Sequence, residues 1–205
     1  TIMRVLDEYH LRERLVAIPA SPITPERLER VHARPYIDQV RRVAERGGGH
    51  LDPDTYVCPA SYKAALMAAG GLVEATRAVL DGGVDNAFAL VRPPGHHALR
   101  DRGMGFCLFN NVAVATRYAR EERGLERVLI VDFDVHHGNG TQDEFETDPT
   151  VMYISTHQFP HYPGTGHWSE KGHGDGAGSI INVPLAGGVG DIGFARIFDE
   201  IVGPA

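Results

Sequence analysis

Four short apolar runs constrain this chain more than any other feature: Ala87 to Val91, Val128 to Phe133, Val151 to Ser155 and Ile180 to Leu185. Each is nearly unbroken, as strands are when both faces of a parallel sheet are covered. Helical stretches separate or precede them. Thr24 can cap a helix with Pro25 at its first position, running to about Arg46 and stopped by Gly47-Gly48-Gly49. Pro59 to Leu80 and Asn111 to Arg123 read as further helices, as do Thr1 to Val16 and Asp191 to Ala205 at the two ends. The alternation predicts an α/β fold with a mainly parallel sheet flanked by helices. No repeat or linker divides the 205 residues, so a single domain over 1–205 is expected. Helix already at Thr1, and a last helix that leads nowhere, predict that this domain is incomplete at both ends.

The formal charge is −7, and no Lys/Arg stripe marks a nucleic-acid surface. No apolar run approaches the ~20 residues of a membrane span, and no signal peptide is visible. A soluble cytoplasmic protein is expected, with its oligomeric state open. Cys58 and Cys107 are too few and too far apart for a disulfide scaffold or a cysteine zinc site. Both are expected to be small buried apolar residues.

Three of the apolar runs lead into polar clusters. Val91 leads into Arg92-Pro93-Pro94-Gly95-His96-His97, Phe133 into Asp134-Val135-His136-His137-Gly138-Asn139-Gly140, and Ser155 into Thr156-His157. In parallel α/β sheets, sites gather beyond the carboxyl ends of strands. Alternate side chains of an extended strand share a face, so Asp134 and His136 are expected to point the same way. A carboxylate and an imidazole so placed can bind a divalent ion such as zinc. Asp132 has the same parity but sits deeper, and a buried carboxylate must be paired or bound to a cation. The tandem His96 and His97 suit general acid–base work, with Asp132 and the neutral Asn139 as candidates to orient the rings. The segment from His157 to Ser179 is rich in Gly, His, Pro and aromatic residues and reads as a long loop. Within it, His161, His167 and His173 are read as solvated loop residues. Gly188 to Gly193 fits G-x-G-x-x-G, yet it falls near the end of the chain and reads as a turn before a helix.

Four blocks in order resemble the histone deacetylase superfamily, which also holds acetylpolyamine amidohydrolases and acetoin-utilisation proteins. They are Arg92-Pro93-Pro94-Gly95-His96-His97-Ala98, Gly105-Phe106-Cys107-Leu108-Phe109-Asn110-Asn111, Asp132 to Gln142, and Tyr162-Pro163-Gly164-Thr165-Gly166. The spellings look most like class II and bacterial members. The resemblance implies a three-layer arginase/deacetylase-like α/β fold and a zinc amidohydrolase acting on acyl-lysine or related acylated amines. It implies Asp134 and His136 as two of three zinc ligands, His97 as general base and His96 as its electrostatic partner or proton relay. Asp132 would orient His96, and Asn139 stands where other members carry an aspartate. Gly105, Phe106 and Tyr162 would line a narrow tunnel. A K⁺ or Na⁺ ion is implied near Asp132, Asp134, His136, Ser155 and Thr156, and a second near Phe145, Asp148, Val151 and Ser179. Asp52 or Asp54 would grip the substrate backbone, and Cys58 and Cys107 sit where some relatives carry a redox-sensitive pair. The family's third zinc ligand and its carbonyl-polarising tyrosine fall later than Ala205, so the 205-residue polypeptide is expected to bind zinc poorly and to have little activity by itself.

Two other readings compete. One is a non-catalytic module that binds acylated or polyamine ligands. The other, a nucleotide-dependent oxidoreductase, rests only on the glycines at 188 to 193.

Overall fold

The computed structural model describes residues 2–205. Helix α1 (Ile2–Glu8) buries none of its residues. It stops at His10, which takes a left-handed φ of 53°, and only a single turn at Arg12–Arg14 follows. The long N-terminal helix expected up to Val16 is therefore not formed, and its first residue, Thr1, lies outside the described residues. A short helix without a packed face has little to hold it.

The helix expected from Thr24 to Arg46 is two helices, α2 (Pro25–Leu28) and α3 (Arg34–Glu45). Pro35 is the cause. In a continuous helix its ring would strike the carbonyl of Val31, whereas near the start of a new helix it fits. In α3, Tyr36, Ile37, Val40, Val43 and Ala44 form the buried stripe. The helix closes as Gly47 and Gly48, at φ 98° and 110°, donate to Ala44 O and Val43 O. The same glycines lead into a small antiparallel pair that sequence patterning missed, β1 (Gly49–His50) and β2 (Tyr56–Val57).

Helix α4 (Ser61–Leu80) follows. Helix α5 (Asn111–Arg117) is capped by the Asn110 side chain, which accepts from Ala113 N at 3.1 Å. A wider π-helical turn carries it on from Tyr118 to Glu122. Then come β3 (Val128–Asp132), α6 (Asn139–Phe145), β4 (Val151–Gln158), β5 (Ile180–Leu185) and α7 (Asp191–Ile197). Helix α6 was not foreseen.

The three strands make one parallel sheet in the order β3-β4-β5. Its register puts Asp132 beside Ser155 and Ser155 beside Asn182, a polar row across the sheet. Strand β4 runs to Gln158, so Thr156 and His157 belong to the strand and not to the loop after it. Ala87 to Val91 is not a strand, and Phe88 is 73% exposed. Among the described residues the β3 edge pairs only with β4, and a strand without a ladder partner leaves its N–H and C=O groups unmet.

One apolar core joins Leu28, Val31, Ile37 and Val40 to Phe109 and Val114, and reaches the sheet at Ile130, Tyr153 and Ile180. Burying a side chain of this size contributes roughly 1.5–3 kcal/mol. That core fixes the strand ends on which the polar clusters stand.

Candidate active site

Asp132 closes β3, and its carboxylate organises the site. Oδ2 accepts from His96 Nδ1 at 2.9 Å and from Tyr153 Oη at 3.0 Å. Oδ1 accepts from Asp134 N at 3.2 Å. His97 Nδ1 donates to Asn139 Oδ1 at 2.8 Å, and Asn139 is the first residue of α6. The same helix start holds the histidine loop, since Gly140 N and Thr141 N both donate to His96 O. The two rings lie 4.0 Å apart, centre to centre.

These surroundings push the histidines apart in proton affinity. Burial drives His97 down to about 4, aided by the charge of His96. Burial also opposes charge on His96, yet the bond to Asp132 and the nearby carboxylates outweigh it and raise its pKa. Burial would lift Asp132, but His96 holds it below the usual carboxylate range. Neighbouring groups split in this way can divide acid and base roles. With Nδ1–H committed to Asn139, His97 presents an unprotonated Nε2.

Asp134 and His136 come together by a turn, not by strand parity, because β3 has already ended. Asp134 Oδ1 accepts from His136 N at 2.8 Å and lies 3.1 Å from His136 Nδ1. The same oxygen is 4.0 Å from His96 Nε2. Their side chains are 49% and 35% exposed, open to an incoming ion. A carboxylate oxygen and an imidazole nitrogen are donors that zinc takes. They fit two of the three protein ligands of a catalytic zinc site. Among the described residues no group of three or more His, Cys, Asp or Glu side chains is set to hold a metal.

Gly105 and Tyr162 lie against His97, and Phe106 follows Gly105 at an exposed position. Gly105 has φ 57°, and a Cβ there would fall 2.3 Å from His97 Cδ2. Phe106 also takes a positive φ, 65°, and is held by its N–H on Thr55 Oγ1 at 3.1 Å. The Tyr162 ring stands edge-on to His97 at 5.1 Å and to His136 at 5.8 Å. Burial, with Asp54 and Asp52 near, pushes its phenol up to about 12. We expect Gly105→Ala to displace the His97 ring and to destabilise the protein by about 1–3 kcal/mol. The ring resonances of His97 and the melting curve read this directly, and unchanged resonances would show that the two do not touch.

The remaining candidates separate. Asp52 spends one oxygen on Asp54 N and Thr55 N, while Asp54 lines an open hollow of about 370 Å³ with Phe106 and Arg92. Ser155 and Thr156 lie beside Asp132, with Thr156 Oγ1 3.5 Å from Asp132 O. Of the second cation group, Asp148 N meets Phe145 O at 2.9 Å and Val151 N meets Asp148 O at 3.4 Å. Ser179 O accepts from Tyr153 N nearby. Cys107 is buried, but Cys58 is exposed, contrary to expectation. It sits at the turn before α4, where Ser61 Oγ donates to its sulfur. His167 bonds Ser169 Oγ, and His173 lies out in the loop. His161 is exposed yet within 5.1 Å of the His136 ring. Gly188 and Gly190 lie in the loop before α7, and Gly193 falls within that helix.

Patterning missed several polar residues. Tyr153 reads as a core aromatic, but its hydroxyl braces Asp132. Its parity with Ser155 and His157 along β4 was the available signal. Gln142 and Thr165 stood in the four family-like blocks with no role read for them, and Glu170 stood in none, because the bonds that join them into one network span 28 positions.

The comparisons agree with this geometry. The profile of the histone deacetylase domain matches residues 1–205. A probable deacetylase of Archaeoglobus fulgidus is 43% identical over 94% of this chain and 53% of its own length. The histone deacetylase-like amidohydrolase of Pseudomonas aeruginosa is 43% identical over 98% of this chain and 53% of its own. The crystal structure of the HDA15 HD domain superposes with a TM-score of 0.91 at 44% identity, covering 93% of this chain and 56% of that one. Together they define an α/β protein with the arginase/deacetylase-like fold. The chain belongs to the histone deacetylase family. It spans about half the length of the curated relatives it matches. Among the described residues no helix is long and apolar enough to cross a membrane, and a rice relative, 43% identical, is named chloroplastic.

Proposed function

We propose that the complete protein is a zinc-dependent amidohydrolase that removes acetyl or other acyl groups from acylated lysine or related amines. The observation that carries the reading is the orientation of His97. Its Nδ1–H is held by Asn139 at 2.8 Å, which leaves Nε2 free to accept a proton beside Asp134 and His136.

Asp134 and His136 are the residues that would hold the metal. A bound zinc ion supplies Lewis-acid polarisation of an amide carbonyl and acidifies water. The chain's own groups account for the rest. His97 Nε2 takes the proton of the attacking water. His96, whose proton affinity Asp132 raises, offsets the charge that develops and can return a proton to the departing amine. Phe106 and Tyr162 flank the approach and suit a thin apolar stem with an uncharged amide at its tip. A K⁺ or Na⁺ ion near Asp132, Ser155 and Thr156 would stiffen the strand ends.

The test is hydrolysis of an acetyl-lysine peptide by the complete protein. Acetate and the deacetylated peptide should appear in equal amounts, and Asp134→Ala should lose the bound zinc as well as the turnover. No acyl amide cleaved by metal-loaded protein would sink the proposal. A purely binding module would keep peptide affinity with no acetate released.

A further inference from the structure

A buried polar network behind the channel wall is not used by the chemistry above. Its centre is Glu170. The Glu170 carboxylate accepts from Gly166 N with both oxygens at 3.1 Å and from His167 N at 2.9 Å. It also accepts from Gln142 Nε2 at 2.7 Å. Gln142 Oε1 accepts in turn from His137 Nε2 at 3.0 Å and from Asn182 Nδ2 at 2.6 Å. With Nε2 donating, His137 Nδ1 accepts from Thr165 Oγ1 at 2.8 Å. From the other side, His157 Nε2 donates to Gly166 O at 2.9 Å, and its Nδ1 accepts from Ser155 Oγ at 2.9 Å.

The turn at Thr165–Gly166–His167 is therefore gripped by His137 from the loop after β3, by His157 from β4 and by Glu170, with Gln142 of α6 and Asn182 of β5 holding Glu170 from behind. Gly166 is shaped to the grip. Its φ is 89°, and a Cβ would lie 2.4 Å from His157 Nε2 and 2.6 Å from His137 Cγ. The turn begins just after Tyr162, which lies within a tight turn closed by Gly164 N donating to His161 O at 2.8 Å.

Two residues one turn apart on α6 thus serve opposite walls. Asn139 orients His97, and Gln142 anchors the loop that carries Tyr162. Moving one wall against the other needs this helix or the Glu170 clamp to give way.

We propose that Glu170 is a positioning residue: through Gln142, His137 and His157 it fixes Tyr162 against the histidine pair and so sets the width of the channel for the substrate stem. The proposal rests on the deacylase reading for its consequence, though not for the clamp itself. Charge and donor pattern both matter here. The carboxylate takes hydrogen bonds from three donors, with the Gly166 N–H shared between its two oxygens, and an amide in its place would turn N–H groups toward the Gln142 amide and the Gly166 N–H.

Glu170→Gln in the complete protein tests it. KM for an acetyl-lysine peptide should rise about tenfold while kcat stays within about twofold, because the bound stem loses its wall and the reacting groups do not move. Amide exchange at Gly166 and His167 should quicken about tenfold. The double variant Glu170→Gln with Gln142→Glu returns one carboxylate to the network, facing donors from His137, Asn182 and the substituted amide on the loop. It should bring both values back to within about threefold of the parent. Unchanged KM and exchange in Glu170→Gln would overturn the proposal. So would a fall in kcat matching the rise in KM with no rescue by the double variant, since that marks a merely structural role. If the parent protein cleaves no acyl amide, the deacylase reading fails and exchange alone decides the clamp: faster exchange reversed by the double variant supports it, unchanged exchange ends it.

Discussion

Replacing His97 with alanine is expected to lower amide hydrolysis by the complete protein roughly a thousandfold, within the range of a lost general base, while zinc stays bound. His97 is 3% exposed, and its single polar partner is Asn139 Oδ1 at 2.8 Å. It contacts no carboxylate that could bind the ion, so the metal residues should remain in place. The His96 variant should differ. Removing that ring strips Asp132 of its 2.9 Å bond and leaves a carboxylate buried with Tyr153 alone among its side-chain partners, which costs stability as well as rate. Steady-state rates with zinc content measured on the same samples separate these outcomes. Activity retained in His97→Ala would remove His97 from the base role.

The second large effect lies far from the chemistry, at His32. This ring is fully buried. It packs 5.4 Å from the Phe109 ring and 5.7 Å from the Tyr36 ring. Nδ1 donates to Leu99 O at 2.9 Å, and Nε2 accepts from Asn110 N at 2.9 Å. Alanine would empty the space and leave two buried backbone groups unpaired, a loss of about 4 kcal/mol. Burial also drives the pKa of His32 down to about 4. Below about pH 6.5 the unfolded ring takes up a proton and the folded ring does not, so acid favours unfolding. The contribution is fully present above about pH 6.5 and is lost progressively down to about pH 4, amounting to roughly 3 kcal/mol over that window. His32→Gln, whose amide can serve both partners without titrating, should show a flatter loss between those limits. Denaturant melts at pH 7 and pH 4.5 measure the difference. Equal slopes for parent and variant would rule out the His32 contribution.

The readable parts of this chain were those with a local cause. Ile180–Leu185 is a strand because it is an apolar run, and its bounds follow from that run alone. The tandem histidines and the Asp134/His136 pair were visible because short spacing put their chemistry in one window. What escaped depended on distant partners. Ala87 to Val91 has the composition of a strand and no neighbour to pair with among the described residues. Asp134 and His136 were grouped correctly for the wrong reason, since a turn and not a pleat brings them together. Tyr153 is ordinary as a letter and gains meaning from Asp132, 21 positions away, while Glu170, bonded locally to Gly166 and His167, joins the wider network only through Gln142, 28 positions away. The break at Pro35 was legible, but the helical pattern on either side of it masked the interruption.

The crossover from β4 to β5 has one more consequence. Parallel strands are commonly joined by a helix that can form early on its own. Here residues 159–179 make the connection with a single short turn at Gly174–Gly176. Nothing local rewards closing that loop, so its entropic cost falls on the non-local pairing itself. Tyr162 is expected to settle only once β5 has docked and Asn182 has met Gln142. The segment around Tyr162 is thus expected to take shape late, after the turn that carries the histidine pair.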